Sequence, residues 1–160
     1  MSAKIRPARS DDTDALVAVE TLAFLNRRTS RRAFRHMIRS RSVLLLVACD
    51  NGVLEGYCAV FYRAGSPWAR LHSLAVDPVN GRGLGRELLA EAEKAAAAKG
   101  CEAMRVDVRL DNLRAINRYE NGHYRRFAAR RNHYADGMTA LCYEKRLQPP
   151  SRMATSVHHG

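Results

Sequence analysis

The chain has 160 residues, the size of one ordinary globular domain, and its 46% hydrophobic and 27% charged shares argue against wholesale disorder. Its formal net charge of +11 attracts anions without choosing among nucleic acids, phosphorylated cofactors and acidic proteins. No apolar run approaches the ~20 residues of a membrane span, and the N-terminus lacks the apolar stretch of a signal peptide. The four cysteines (Cys49, Cys58, Cys101, Cys142) form no C-x-x-C pair, so a cytoplasmic protein with buried free thiols and no metal is expected.

Ile5 to Pro7 reads as a short strand. Ser10-Asp11-Asp12-Thr13-Asp14 supplies N-cap residues and first-turn carboxylates ahead of Leu16, Val17, Val19, Glu20 and Leu22, predicting a helix of about three turns. Thr29-Ser30 caps a second helix, with Ala33, Phe34, Met37 and Ile38 at helical spacing. Val43 to Cys49 is a strand, Asp50-Asn51-Gly52 a hairpin turn, and the returning strand runs through Gly56 to Tyr62. Gly65-Ser66-Pro67 breaks the chain before a strand over Trp68 to Val76. Glycines at 81, 83 and 85 precede a helix from Arg86 to Lys99, which Gly100 stops. Met104 to Leu110 alternates as a strand does, and Leu113 to Glu120 is helical, ending at Asn121-Gly122. Tyr124 to Ala129 and Met138 to Leu147 are the last strands, around an Asp136-Gly137 turn. Residues 1–147 then form one α/β domain, and 148–160 a disordered tail.

The segment from His72 to Arg86 is a strand, a glycine-spaced loop and a helix start. Alternate glycines let backbone N–H groups converge on an anion, and the helix N-terminus adds partial positive charge. It is not a Walker A loop, since Arg86-Glu87 stands where Gly-Lys-Ser/Thr is needed. Nor is it a dinucleotide fingerprint, since Arg86 takes the place of the third glycine. An ordinary strand-to-helix turn is the plain alternative. Val76-Asp77-Pro78 and Gly83-Leu84-Gly85-Arg86 resemble the loop of the GNAT superfamily of acyl-CoA-dependent N-acyltransferases. That loop reads V-x-P, then Gln or Arg, then G-x-G/A, and grips the coenzyme A pyrophosphate through backbone amides; Asn80 here takes the Gln/Arg position. The resemblance implies a mixed, mostly antiparallel twisted sheet of six or seven strands flanked by about four helices. It also implies acetyl-CoA as co-substrate, held by Leu74, Val76, Asn80, Gly81, Arg82, Gly83, Leu84, Gly85 and Arg86, without a metal.

Val106 to Glu120 is similar to the family's next strand and helix, with its L-E-V-R, N-x-x-A and Tyr-Glu pattern. Asn112, Ala115 or Ile116, and Tyr119 share one helix face. The resemblance implies that Asn112 and Ala115 contact the cofactor and that Tyr119 protonates the departing thiolate. The plain alternative makes Tyr119 a core residue. Arg130-Arg131-Asn132-His133-Tyr134, followed by Asp136-Gly137, is similar to the closing segment of the RimI-like acetyltransferases of ribosomal-protein N-termini. At Glu120-Asn121-Gly122-His123-Tyr124 the chain departs from the family, which usually places Gly where His123 stands.

The family chemistry implies direct attack by the amine, with a backbone N–H of Leu74 or Val76 meeting the oxyanion. Asp107 stands where the RimI-like enzymes carry Glu and is the candidate base. It shares a strand face with Arg105 and Arg109, which would pair with it or leave it a feeble base. His72 and His133 are alternative bases acting through water. A peptide α-amino group, pKa ~7.7–8.0, is partly neutral near pH 7, whereas lysine at ~10.4 is charged, so a feeble base favours an N-terminal amine. Tyr134, His133 and Arg31 are the candidate substrate-binding residues. Arg27, Arg28, Arg31, Arg32, Arg35, Arg39 and Arg41 form a positive face, either solvated or docking an acidic protein or a ribosomal protein embedded in RNA. The expected function is transfer of acetyl from acetyl-CoA to a protein or peptide N-terminal amine, by a monomer or homodimer. The alternatives are the same fold acetylating lysine or a small amine, and a basic nucleic-acid-binding module without catalysis. Against the last, no helix-turn-helix, zinc-finger or RRM signature appears.

Overall fold

The computed structural model describes residues 3–24 and 28–149; Arg27 and the expected tail from 150 onward lie outside the described residues. Lys4–Pro7 forms β1, and a 3-10 turn at Ser10–Asp12 leads into α1, Thr13–Ala23. The Asp12 carboxylate organises that start. It accepts from the Arg9 backbone N–H at 2.7 Å and from the Arg6 guanidinium at 2.8 and 3.0 Å. Arg6 is the chief reason the Asp12 carboxyl lies below its ordinary value. Helix α2, Arg31–Arg39, begins as expected with Ser30 Oγ accepting from the Ala33 N–H at 3.0 Å. Strands β2, Val43–Asp50, and β3, Val53–Phe61, join through Asn51 and Gly52 at φ 52° and 81°, the primed turn an Asn-Gly pair favours.

β4 (Trp68–Val76), α3 (Leu84–Ala98), β5 (Ala103–Arg109), α4 (Leu113–Asn121), β6 (Arg125–Arg130) and β7 (Ala140–Arg146) complete the chain. The last two strands are joined by the segment 131–139, which holds the expected turn at Asp136-Gly137. Tyr134 donates its N–H to the Met138 carbonyl at 3.2 Å, and Gly137 donates to the Tyr134 carbonyl at 2.8 Å. The seven strands lie in the order β1-β2-β3-β4-β5-β7-β6. β4 and β5 run parallel, while β1–β2, β2–β3, β5–β7 and β6–β7 are antiparallel. With four α-helices among the described residues, this is the mixed, mostly antiparallel sheet that the family resemblance implies.

Two compact units make up the chain, and each takes part of β4. The first holds β1 to β3, α1, α2, His72–Val76 of β4, the glycine loop, and α3 as far as Ala92. Leu45 and Val47 of β2 and Tyr57 and Ala59 of β3 bury against Leu16 and Val19 of α1 and Phe34 and Met37 of α2. The buried Glu20 carboxylate accepts from the Tyr57 hydroxyl at 2.8 Å, from Thr29 Oγ1 at 2.6 Å, and from the Thr29 backbone N–H. It thereby ties α1 to β3 and to the lead-in of α2. Gly56 of β3 lets α3 come close: a Cβ there would lie 3.0 Å from Val76 Cγ1 and 3.1 Å from Leu88 Cδ1.

The second unit holds Trp68–Leu71 of β4, α3 from Glu93, β5, α4, β6 and β7. Met104, Val106, Val108, Leu141 and Tyr143 are buried. On that same sheet face Lys145 Nζ donates to Glu93 of α3 at 2.9 Å, and the Tyr143 hydroxyl donates to Glu120 of α4 at 2.8 Å. Burial, reinforced by Glu120, pushes the Tyr143 phenol up to about 12.

Candidate active site

The loop after β4 is organised by Asp77. Its N–H donates to the Glu55 carbonyl at 2.8 Å, and its carboxylate accepts from the Val79 and Asn80 N–H groups at 2.9 and 3.1 Å. These donors, that of Asn80 foremost, hold the Asp77 carboxyl below its ordinary value. Gly81 donates to the Asp77 carbonyl at 2.8 Å, and Leu84 donates to the Gly81 carbonyl at 3.0 Å. The loop is therefore split. Val79, Asn80, Gly81 and Leu84 use their amides internally, whereas those of Arg82, Gly83, Gly85 and Arg86 have no backbone acceptor among the described residues. These four N–H groups cluster around the N-terminus of α3, beside two exposed arginine side chains, and suit a diphosphate-sized anion.

The two ends of the glycine run are required for different reasons. At Gly81 a Cβ would lie 2.7 Å from the Asp77 carbonyl oxygen and 2.9 Å from that of Glu55, so crowding demands glycine. At Gly83 the surroundings are open and φ is 83°, so conformation demands it. Asn80 and Gly81, both expected to donate amides to a cofactor, thus have them engaged by Asp77 instead. Leu84 likewise contributes a buried side chain to the core and an amide to the loop. Of the two candidate oxyanion donors, Leu74 is buried and Val76 half-buried. The β4–β5 ladder covers only Trp68–Arg70 against Ala103–Arg105, so neither of them takes part in it.

Helix α4 starts at Asn112, whose side-chain oxygen accepts from the Ala115 N–H at 3.1 Å. Asn112 is therefore an N-cap, which leaves its amide nitrogen as the group able to reach a ligand. Ala115 and Ile116 are half-buried and Tyr119 is buried, the shared face that the spacing predicts. The Tyr119 ring meets Tyr124 edge-on, centroids 5.3 Å apart. At the helix exit the exposed His123 adopts φ 73°, the conformation glycine usually supplies, while Gly122 remains at φ −86°.

Arg105, Asp107 and Arg109 share a face of β5, but the two arginines do not pair with Asp107. Arg105 Nε donates to Glu144 at 2.7 Å, and Arg109 holds Asp111 at 3.0 Å and Asp136 at 2.8 Å. Asp107 accepts instead from Arg70 of β4 at 3.2 Å, and His133 Nε2 stands 3.7 Å from the same oxygen. Cys142 lies directly opposite on β7; burial, with the Asp107 carboxylate, raises its thiol. His133 packs edge-on against Tyr134, whose ring lies 5.1 Å from the Arg109 guanidinium. Asp107, His133 and Tyr134 thus come together within the second unit. Arg31 sits exposed on α2 of the first unit, paired with Asp14 at 2.6 Å. His72 stacks on Phe61 at 4.2 Å.

All four cysteines are free. Cys58 and Cys142 are buried as expected, but Cys49 and Cys101 are only half-buried. Burial pushes the Cys58 thiol up to about 12, so it is no nucleophile. Among the described residues no group of three or more His, Cys, Asp or Glu is placed to hold a metal ion, and no helix is long and apolar enough to cross a membrane.

Sequence and structure comparisons agree on the ancestry of this arrangement. The profile of the acetyltransferase (GNAT) family matches residues 12–123, which include the glycine loop and α4. No curated protein matches the sequence. Ribosomal-protein-S18-alanine N-acetyltransferase from Escherichia coli is similar at TM-score 0.80 and 25% identity, over 94% of this chain and 97% of that one. Ard1 from Thermoplasma volcanium gives 0.82 at 20% identity, over 92% and 99%. PaiA N-acetyltransferase from Thermoplasma acidophilum, solved with coenzyme A, gives 0.76 at 22% identity, over 91% and 99%. With a family profile spanning most of its length, the chain belongs to the acetyltransferase (GNAT) family and uses acetyl-CoA as co-substrate.

Proposed function

We propose that this enzyme acetylates the N-terminal amine of a protein or peptide. The observation that carries the reading is the engagement of Asp107, the candidate base, by both Arg70 and His133. With the Arg70 guanidinium and His133 already facing its oxygen, Asp107 offers an incoming amine little open space. That fits an α-amino group, which is partly neutral at pH 7 and needs little help from a base, better than it fits a charged lysine. The likeness to the E. coli ribosomal-protein enzyme supports the same class of acceptor.

In this reading the amides of Arg82, Gly83, Gly85 and Arg86 hold the diphosphate of acetyl-CoA. The Asn112 amide nitrogen and the small Ala115 receive its chain. A Leu74 or Val76 N–H polarises the thioester carbonyl as the amine attacks. Tyr119 gives its proton to the departing thiolate; a phenol of pKa ~10 facing a thiol of ~8.5 is a mismatch that positioning overcomes. Asp107, directly or through His133, takes the proton of the amine. His133, Tyr134 and Arg31 contact the acceptor.

Acetylation of a peptide library with mass readout tests the acceptor. N-terminal products are expected, and a majority of side-chain acetyl-lysine overturns the proposal. Tyr119→Phe is expected to lower kcat about 100-fold or more with acetyl-CoA binding retained, and unchanged turnover removes the acid role.

A further inference from the structure

The second unit presents β4-β5-β7-β6 as four neighbouring strands, and their two faces differ in chemistry. One face buries Met104, Val106, Val108, Leu141 and Tyr143. On the other, the strand register aligns Arg70, Arg105, Glu144 and Arg125 in one row, Asp107 and Cys142 in the next, and Arg109, Ala140 and Arg130 beyond. Trp68 and Phe127 stand out there at 38% and 48% exposure. Arg105 lies between their rings, its guanidinium carbon 3.8 Å from one centroid and 4.6 Å from the other. Arg125, Arg130 and Arg146 are exposed on β6 and β7, and no ion pair engages them among the described residues.

We propose that this face docks single-stranded RNA. Three features of the surface select that partner. First, a peptide strand adding to the β6 edge is opposed by the register shift between Arg126 and Ala128 and by the edge arginines. Second, an acidic peptide would answer the arginines but leave both rings in water. A polyanion carrying flat bases answers both, since bases extend the ring–guanidinium–ring stack while the remaining arginines meet phosphates. A duplex offers no such free base faces, whereas open four-stranded sheets bearing aromatics suit unpaired bases. Third, Glu144 is an acceptor within this basic field, and it can take hydrogen bonds from 2′-hydroxyl groups that DNA lacks. The inference does not rest on the acceptor proposed above; it needs neither acetyl-CoA nor turnover.

The test is fluorescence anisotropy of the full chain, without acetyl-CoA, on a labelled uridine oligonucleotide of about 12 residues across about 50–200 mM salt. Saturable binding is expected, tighter for this RNA than for the matching single-stranded DNA or for duplex RNA. Phe127→Ala should weaken it about fivefold or more, while Phe127→Tyr keeps it. Replacing Arg125, Arg130 and Arg146 with Ala should lower the slope of log affinity against log salt by about 2. All these side chains are exposed, and unchanged thermal melting verifies that each variant is folded. Any of the following overturns the proposal: no RNA binding; Phe127→Ala binding as wild type does; duplex RNA or DNA bound as tightly; a polyglutamate peptide bound as tightly; or substitution of Arg32, Arg35 and Arg39 on α2 lowering the salt slope equally.

Discussion

Replacing Gly81 with alanine separates packing from ligand contact in the loop after β4. The new methyl would meet the Asp77 carbonyl oxygen at 2.7 Å, the Glu55 carbonyl oxygen at 2.9 Å and the Asp77 nitrogen at 3.0 Å, against an ordinary 3.4–4 Å. None of these atoms is free to swing aside. The Asp77 carbonyl accepts from Gly81, and the Glu55 carbonyl accepts from Asp77. Overpacking of this kind costs about 1–3 kcal/mol, offset by about 0.4–1 kcal/mol because alanine restricts the unfolded chain. A net loss of about 1–2 kcal/mol lowers Tm by about 2–8 °C in a chain of this size. The displaced Gly81 carbonyl also shifts the Leu84 amide that it receives, and with it the amides on either side. Acetyl-CoA should therefore raise the Tm of the variant less than that of the wild type at equal concentration. Thermal denaturation with and without acetyl-CoA measures both effects. The exposed Gly65 (φ 78°, open surroundings) is the control: Gly65→Ala strains the turn before β4, makes no contact with the glycine loop's hydrogen bonds, and should leave the acetyl-CoA increment unchanged. If Gly81→Ala melts with the wild type in the absence of ligand and loses only the increment, the packing argument fails and Gly81 serves the phosphate directly.

His123→Gly should stabilise the protein by about 0.5–1 kcal/mol, because an L side chain at φ 73° carries a cost of about 1–2 kcal/mol that exceeds the extra chain entropy of glycine. Urea denaturation should show a higher midpoint at unchanged slope, and a lower midpoint would mean that the imidazole makes a contact worth more than the strain. Asp12→Asn tests the Arg6 pair through pH. The folded carboxyl lies below its ordinary 3.8, mainly through Arg6, so its contribution is complete above that value and disappears as pH falls through the lower folded one. The variant should therefore be less stable at pH 7, with the gap in Tm closing below pH ~4, and a gap that persists in acid would point to some other cause.

Local chemistry made much of the fold legible. Asn51-Gly52, the Ser30 cap, the break at Pro67 and the stop at Gly100 each require only neighbours in sequence, and each occurs where expected. The Asp136-Gly137 turn also occurs where expected, but its capture by Arg109 from β5 was not legible. Long-range capture of the same kind hid the partners of Asp107. Arg105 and Arg109 flank it in sequence, but cross-strand Glu144 and the returning loop claim them, while the partner, Arg70, arrives from a parallel strand. Glycine spacing located the strand-to-helix loop in which the amides of Arg82, Gly83, Gly85 and Arg86 have no backbone acceptor among the described residues. It could not distinguish Gly81, which serves packing, from Gly83, which serves conformation, because that difference depends on the Glu55 carbonyl from β3. The nearness of Trp68 and Phe127 to Arg105 was equally invisible, since only strand register creates it.

The Val79 and Asn80 amides bond to the carboxylate of Asp77 and so belong to the fold rather than to a ligand. These internal bonds restrain the loop, and under the proposed function binding of the diphosphate would surrender less loop entropy than at a floppy segment. Association at this end of the enzyme should then approach the pace of an encounter between rigid surfaces, with selectivity among acyl donors expressed mainly in how slowly each one leaves.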